Sequence, residues 1–204
     1  MVFKYQSTTP DWLYQQPALT ATTLSTIQKE LKKLFFVTKK FCLVPYTSTY
    51  MEFGDMSVVH EHCPQLLKEL NTLGLQLRLV AFISVVIDRN FPAHVDVGSD
   101  IALNIPLFNC KGTQTVWYDG KMIQKETESY LIGAESARNA CESDPQSLIE
   151  IGRCDANEAH WINVNILHRP ETSHDQLRVA ASLRFDPEPL DEYGQLWPHL
   201  VKPK

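Results

Sequence analysis

Apolar and polar positions alternate along this chain with two different periods. From Thr22, the residues Leu24, Ile27, Leu31, Leu34 and Phe35 recur at the spacing of one helical face, while Lys29, Glu30, Lys32 and Lys33 fall outward. The pattern predicts an amphipathic helix, with Thr and Ser at its start available as a cap, lying against a sheet. A second helix is predicted from Cys63-Pro64, because proline suits the first helical turn. It carries Leu66, Leu67, Leu70 and Leu73 and stops at Gly74. Before these helices the chain is polar and proline-punctuated, and Trp12, Leu13 and Tyr14 are expected to pin that arm onto the body. Between them, Phe41 to Pro45 reads as a short strand and Tyr46 to Gly54 as a loop with aromatic anchors.

Beyond Gly74 the period shortens to two. Leu77 to Ile87 is β-branched and apolar on both faces, which predicts a strand inside a packed sheet. Ile101 to Leu107 alternates: Ile101, Leu103, Ile105 and Leu107 share one face, and Ala102, Asn104 and Pro106 share the other, where small and polar residues leave room for a ligand. Gly112 to Tyr118 makes a further strand closed by the turn-forming Asp119-Gly120, and Tyr130 to Ile132 another. Gly133 to Ser147, rich in Ala, Ser, Glu, Asn and Asp and without periodicity, reads as an excursion from the sheet and a candidate lid. Leu148 to Ile151, Trp161 to Leu167 and Leu177 to Phe185 return to strand character before Asp186-Pro187-Glu188-Pro189 ends the sheet. This order predicts one mainly β (α+β) domain over residues 1–204: a cupin-like jelly roll of two packed sheets, with its core at about 77–185, helical support in 1–76 and a tail in 186–204.

Composition narrows the class. A chain of 204 residues, 44% hydrophobic and 21% charged, suits a single domain with a real core. The start, Met1-Val2-Phe3-Lys4-Tyr5-Gln6, lacks the apolar run of a signal peptide, and no later run approaches the roughly 20 residues needed to cross a bilayer, so a cytoplasmic protein without a membrane span is expected. Cys42, Cys63, Cys110, Cys141 and Cys154 are odd in number and contain no Cys-x-x-Cys pair, which reads as reduced thiols. A net charge of -5 without a Lys/Arg stripe weighs against a nucleic-acid-binding surface, leaving only a flipped base or short single strand as a nucleic-acid substrate.

The chemistry centres on Phe91-Pro92-Ala93-His94-Val95-Asp96, just after the apolar run. In extended backbone, residues two apart point the same way, so His94 and Asp96 offer a nitrogen and an oxygen to one ion. That is two-thirds of the two-histidine, one-carboxylate set that holds non-haem Fe(II). His160, His168 and His174 are candidates for the third ligand. His168 is the best placed, at the end of the apolar strand Ile166-Leu167, whereas His160 opens a strand and His174 lies in a polar turn. On the last strand Arg178, Ala180, Ser182 and Arg184 share one face, able to floor a cavity that binds a carboxylate. His60-Glu61-His62 also clusters potential ligands, but no further ligand accompanies it and it reads as solvated loop residues. Taken singly, each of these residues has an ordinary structural reading; it is their order on strands of one β core that favours a metal site.

These residues resemble the 2-oxoglutarate and Fe(II)-dependent dioxygenases, in the branch of prolyl and aspartyl/asparaginyl hydroxylase-like proteins. The resemblance rests on His94-x-Asp96, His168 and, ten positions later, Arg178, and covers roughly Leu77 to Phe185. It implies a double-stranded β-helix core, Fe(II) held by His94, Asp96 and His168, and Arg178 on the far carboxylate of 2-oxoglutarate. It further implies hydroxylation of a small molecule or an amino-acid side chain by dioxygen, with 2-oxoglutarate converted to succinate and carbon dioxide. Thr172 departs from the asparagine that many relatives carry after the distal histidine, and Arg184 offers an alternative clamp. Strand parity adds Asn104, Ser182 and Trp117 as cavity residues, without a family role. Two rival readings stand beside this one: a cupin-like metal enzyme that does not use 2-oxoglutarate, and a catalytically silent jelly-roll binding module. Neither the primary substrate nor the oligomeric state is legible.

Overall fold

The computed structural model describes residues 12–39, 49–53, 56–85, 93–96, 98–126, 139–143 and 145–203, with backbone alone for 38–39, 49–53, 122–126, 139–143 and 145. Two six-stranded antiparallel sheets face each other. The first runs in the order β1 (Tyr14–Gln15), β10 (His160–Asn163), β5 (Ile101–Phe108), β12 (Arg178–Phe185), β3 (Leu77–Val85), β2 (Thr49–Phe53). The second runs β7 (Met122–Glu126), β8 (Asn139–Ser143), β4 (His94–Val95), β11 (His168–Thr172), β6 (Thr113–Asp119), β9 (Ile149–Asp155). Along the chain β3, β5, β10 and β12 lie in the first sheet and β4, β6, β9 and β11 in the second. The chain therefore crosses repeatedly between layers, which is the topology of a jelly roll.

Three helices cover the outer face of the first sheet: α1 (Ala21–Lys39), α2 (Met56–His62) and α3 (Pro64–Thr72). The Thr20 hydroxyl accepts the Thr23 N–H at 3.1 Å and so caps α1. The α1 stripe of Ile27, Leu31, Leu34 and Phe35 and the α3 stripe of Leu66 and Leu70 pack with Leu103, Ile105, Val179, Ala181, Leu183 and Phe82 in one apolar cluster. Shielding each of the larger of these side chains contributes about 1.5–3 kcal/mol before entropy. Glu30, which the helical pattern puts outward, is buried instead. Its carboxylate accepts the N–H groups of Gln65 at 3.2 Å and Leu66 at 2.6 Å, capping from α1 a helix that has no side-chain cap of its own. Gly74, with φ 73°, ends α3 in the left-handed region that glycine tolerates. Among the described residues no helix is long and apolar enough to cross a membrane.

Several expectations are corrected. Thr49 to Phe53, read as loop, is strand β2, because its Thr-Tyr-Met-Glu-Phe run covers the otherwise open edge of β3. His60-Glu61-His62 lies in α2, not in a loop. Met122–Glu126 and Asn139–Ser143 pair with each other, and the latter also with β4, so part of the expected excursion belongs to the second sheet. Such strands form by backbone pairing and need no apolar alternation. The strand expected over Trp161 to Leu167 stops at Asn163, and His168 opens β11 where it was expected to close a strand. The strands expected at Phe41 to Pro45 and Tyr130 to Ile132, and the excursion between 133 and 138, lie outside the described residues.

The N-terminal arm is pinned as expected. Trp12 Nε1 donates to Gly194 O at 3.3 Å, and Tyr14 stacks on Trp117 with centroids 5.8 Å apart. Asn163 joins the arm to the core: its N–H donates to Leu13 O at 2.9 Å, its Nδ2 to Trp12 O at 3.1 Å, and its Oδ1 accepts the Asn165 N–H at 3.0 Å. Asn163 is fully buried. Asn163→Ala is therefore expected to cost about 2–4 kcal/mol by stranding buried polar groups, with an unchanged denaturant slope. Urea unfolding checks this, and a cost under about 1 kcal/mol would show that the arm is held elsewhere.

Candidate metal centre

Cross-strand register brings the two histidines together. His168 on β11 pairs directly with His94 on β4 and, on its other side, with Trp117 on β6. Direct partners in antiparallel strands face the same way, so both imidazoles enter the space between the sheets. Their centroids are 4.7 Å apart at 42°. Asp96 lies just past β4, tied by its N–H to Val164 O at 2.9 Å. The ligand-type atoms of His94, Asp96 and His168 all lie within 4.8 Å of one another, and this is the only such group among the described residues.

Each ligand is oriented by a second group. His168 Nδ1 lies 2.9 Å from Ile166 O. A carbonyl only accepts, so Nδ1 carries the proton and Nε2 keeps its lone pair for an ion. Asp96 Oδ1 faces His94 Nε2 at 3.3 Å, and Oδ2 is paired with Arg184 Nη2. Burial alone would raise the Asp96 pKa. The Arg184 guanidinium, with His94 and His168, outweighs that and holds the carboxyl well below the usual range, so it stays ionised. Two imidazoles and one carboxylate form a donor set that fits a divalent first-row metal such as Fe(II).

Burial, aided by the nearby His94, pushes the His168 imidazole down to about 4 from its ordinary 6.5. The unfolded chain thus takes up a proton that the folded one refuses. Stability falls as pH drops from 6.5 toward 4, and Asp96 adds a loss in the same direction once pH falls below the ordinary carboxylate range. Metal-free protein is expected to lose on the order of 2 kcal/mol between pH 7.5 and 5 from His168 alone. His168→Gln should flatten that slope in urea unfolding; an unchanged slope would place the proton uptake on another group.

Arg178 and Arg184 lie on the same face of β12 and line the same cavity as the ligands, yet their states differ. Arg184 is engaged: Nη2 with Asp96, and Nη1 donating to Ser182 Oγ at 2.9 Å. Arg178 is 2% exposed, and its Nε and Nη1 have no hydrogen-bond partner among the described residues. Burial lowers its pKa, and the groups acting against that are the thiols of Cys110 and Cys154, not a carboxylate. An arginine remains charged at neutral pH, so a cation stands in this cavity without a counter-ion from the described residues.

Asn104 and Ser182 line the cavity as strand parity implies. Trp117 does not: its indole donates to Asn163 O at 2.9 Å and packs with Ala102, Ile162 and Val164 beside the cavity. Thr115 on β6 takes the wall position, with Ile83 and Pro170. The alternation Thr113, Thr115, Trp117 already sets Thr115 on the same face of the strand as Trp117. His160 and His174 stay outside the cluster. His160 Nδ1 lies 3.1 Å from Glu158 O, with the Tyr14 ring at its edge, and His174 Nε2 lies 3.0 Å from Lys111 O. Cys63, Cys110 and Cys154 are free buried thiols. His62 approaches only Glu61, at 4.0 Å, and joins no metal-capable group among the described residues.

No family model matches the chain. No curated protein sequence matches it. Among solved structures, it is similar to the non-heme alpha ketoglutarate dependent carbocyclase SnoK from nogalamycin biosynthesis, at 10% identity and a TM-score of 0.45, over 84% of this chain and 78% of that one. It is also similar to HygX from Streptomyces hygroscopicus, solved with nickel and 2-oxoglutarate bound (9%, TM-score 0.39, 86% and 82%). AviO1 from Streptomyces viridochromogenes Tue57 follows (10%, TM-score 0.38, 91% and 93%). These likenesses are distant, so the fold stands on the strand order of this chain and the site on its own residues.

Proposed function

We propose that this protein is an Fe(II)- and 2-oxoglutarate-dependent oxygenase that hydroxylates an unactivated carbon of a small molecule or an amino-acid side chain. The observation that carries this reading is the buried guanidinium of Arg178, whose Nε and Nη1 have no partner among the described residues, in the same cavity as the ligand atoms of His94, Asp96 and His168. A buried, uncompensated cation is costly unless a ligand supplies the anion, and a short dicarboxylate has one carboxylate for the arginine and another for the metal end. When bound, Fe(II) with 2-oxoglutarate and dioxygen supplies the oxidation, releasing succinate and carbon dioxide.

The chain's own residues do the rest. His94, Asp96 and His168 would hold the metal on one side, leaving the cavity side for co-substrate and dioxygen. Arg178 binds the far carboxylate. The Ile166 carbonyl fixes the His168 tautomer, and Arg184 keeps Asp96 ionised and occupies its second oxygen. Ile83, Ile162 and Pro170 supply apolar wall that limits water around a reactive centre.

Anaerobic addition of Fe(II) and then 2-oxoglutarate to metal-free protein tests this without a substrate. A visible metal-to-ligand charge-transfer band is expected, absent in Asp96→Ala and weakened in Arg178→Met. Bound metal with no band would instead favour a cupin-like enzyme with another co-substrate, and no bound metal would favour a silent binding module.

A further inference from the structure

The Arg184 guanidinium begins a hydrogen-bond line that leads away from the metal ligands. It donates from Nη1 to Ser182 Oγ at 2.9 Å, and Ser182 Oγ lies 2.6 Å from Asn104 Oδ1. A guanidinium can only donate, so the serine oxygen accepts there, and its one proton goes to the Asn104 carbonyl oxygen. The register puts this within one row of the first sheet, with Ser182 beside Asn104 and His160 on the other side of Asn104. Every bond in the line runs one way, from Arg184 through Ser182 to Asn104.

This polarity decides what Asn104 shows to the cavity. With Oδ1 turned to Ser182, the amide has only its Nδ2 hydrogens left to offer to the cavity it lines. Asn104 borders both the main cavity and the small hollow next to it, and Arg178 borders the same two. A keto dicarboxylate carries acceptors only. An asparagine free to rotate would present its carbonyl oxygen to such a ligand part of the time, and that face would repel it.

We propose that Asn104 is a second, uncharged anchor for the acidic co-substrate, donating from Nδ2 to one of its oxygens, and that Ser182 and Arg184 are positioning residues that fix the amide in this orientation. The inference rests on the 2-oxoglutarate reading above. It assigns Asn104 to binding and gives Arg184 a double hold, on the oxygen of Asp96 and, through Ser182, on the donor beside Arg178.

The test uses Mn(II)-loaded protein, with calorimetric titration of 2-oxoglutarate and, separately, Mn(II) binding followed by electron paramagnetic resonance. Asn104→Leu is expected to weaken 2-oxoglutarate about tenfold while Mn(II) affinity stays within about twofold. Ser182→Ala, which deletes one oxygen atom and serves as the readout should Asn104→Leu not fold, is expected to weaken 2-oxoglutarate by about three- to tenfold. Ser182→Thr keeps the hydroxyl and should restore near wild-type binding, which a purely space-filling serine would not require. Wild-type 2-oxoglutarate affinity in folded Asn104→Leu or in Ser182→Ala overturns the role of Asn104 and leaves the oxygenase reading standing. Wild-type protein that takes Mn(II) but no 2-oxoglutarate overturns both.

Discussion

Arg178→Met is expected to make the metal-free protein more stable and, under the function proposed above, to weaken 2-oxoglutarate binding severely. The guanidinium is 2% exposed, and two of its nitrogens have no partner among the described residues. Methionine keeps much of the aliphatic stem and removes the charge, so the penalty of burying that charge disappears with little loss of packing. A gain of about 1–3 kcal/mol, or roughly 3–10 °C in melting temperature for a chain of this size, is the expected result. Loss of a charge-assisted, two-point contact to a carboxylate should weaken 2-oxoglutarate by more than about 100-fold in the same variant. Arg178→Ala would blur the comparison, because it leaves a hole as well as removing a charge. Thermal unfolding with and without ligand decides the matter. If Arg178→Met melts lower than wild type, the arginine is satisfied by the protein and is not waiting for an anion.

Asp96→Ala is expected to abolish metal binding and to destabilise the fold, by about 3–5 kcal/mol. A residue that served only as a metal ligand could be removed with little loss of fold. In the structure Asp96 is the ion-pair partner of Arg184, itself 4% exposed, so the alanine variant strands a buried cation. The double variant Asp96→Ala/Arg184→Met removes that cation and should recover most of the stability but none of the metal affinity. Urea unfolding and Mn(II) binding on the single and double variants separate the two roles of the aspartate. A single variant as stable as wild type would mean that the ion pair contributes nothing to the fold.

The ease with which parts of this protein can be read follows the range of the interactions that set them. Helix α1 was legible because the stripe of Ile27, Leu31 and Leu34 repeats within one turn of itself. Strand β5 was legible because Leu103 and Asn104 take opposite faces whatever the partner strands are. Strand β2 was misread because Thr49 to Phe53 needs the open edge of β3 to become a strand. Asn139 to Ser143 likewise becomes a strand only by pairing between β7 and β4. Glu30 was misplaced because the groups it caps, Gln65 and Leu66, are far along the chain.

By itself, the sequence determined that His94 and Asp96 point the same way and that Arg178 and Arg184 share a face of one strand, since the two-residue repeat of extended backbone is local. The sequence also favoured His168 over His160 and His174, but its meeting with that pair is made by tertiary structure, through the cross-strand register of His94 with His168. Tertiary structure also decided which arginine is paired with a carboxylate and which is not. Arg184 reaches Asp96 and Ser182, Arg178 reaches no carboxylate among the described residues, and the difference lies in what the facing sheet sets opposite each of them.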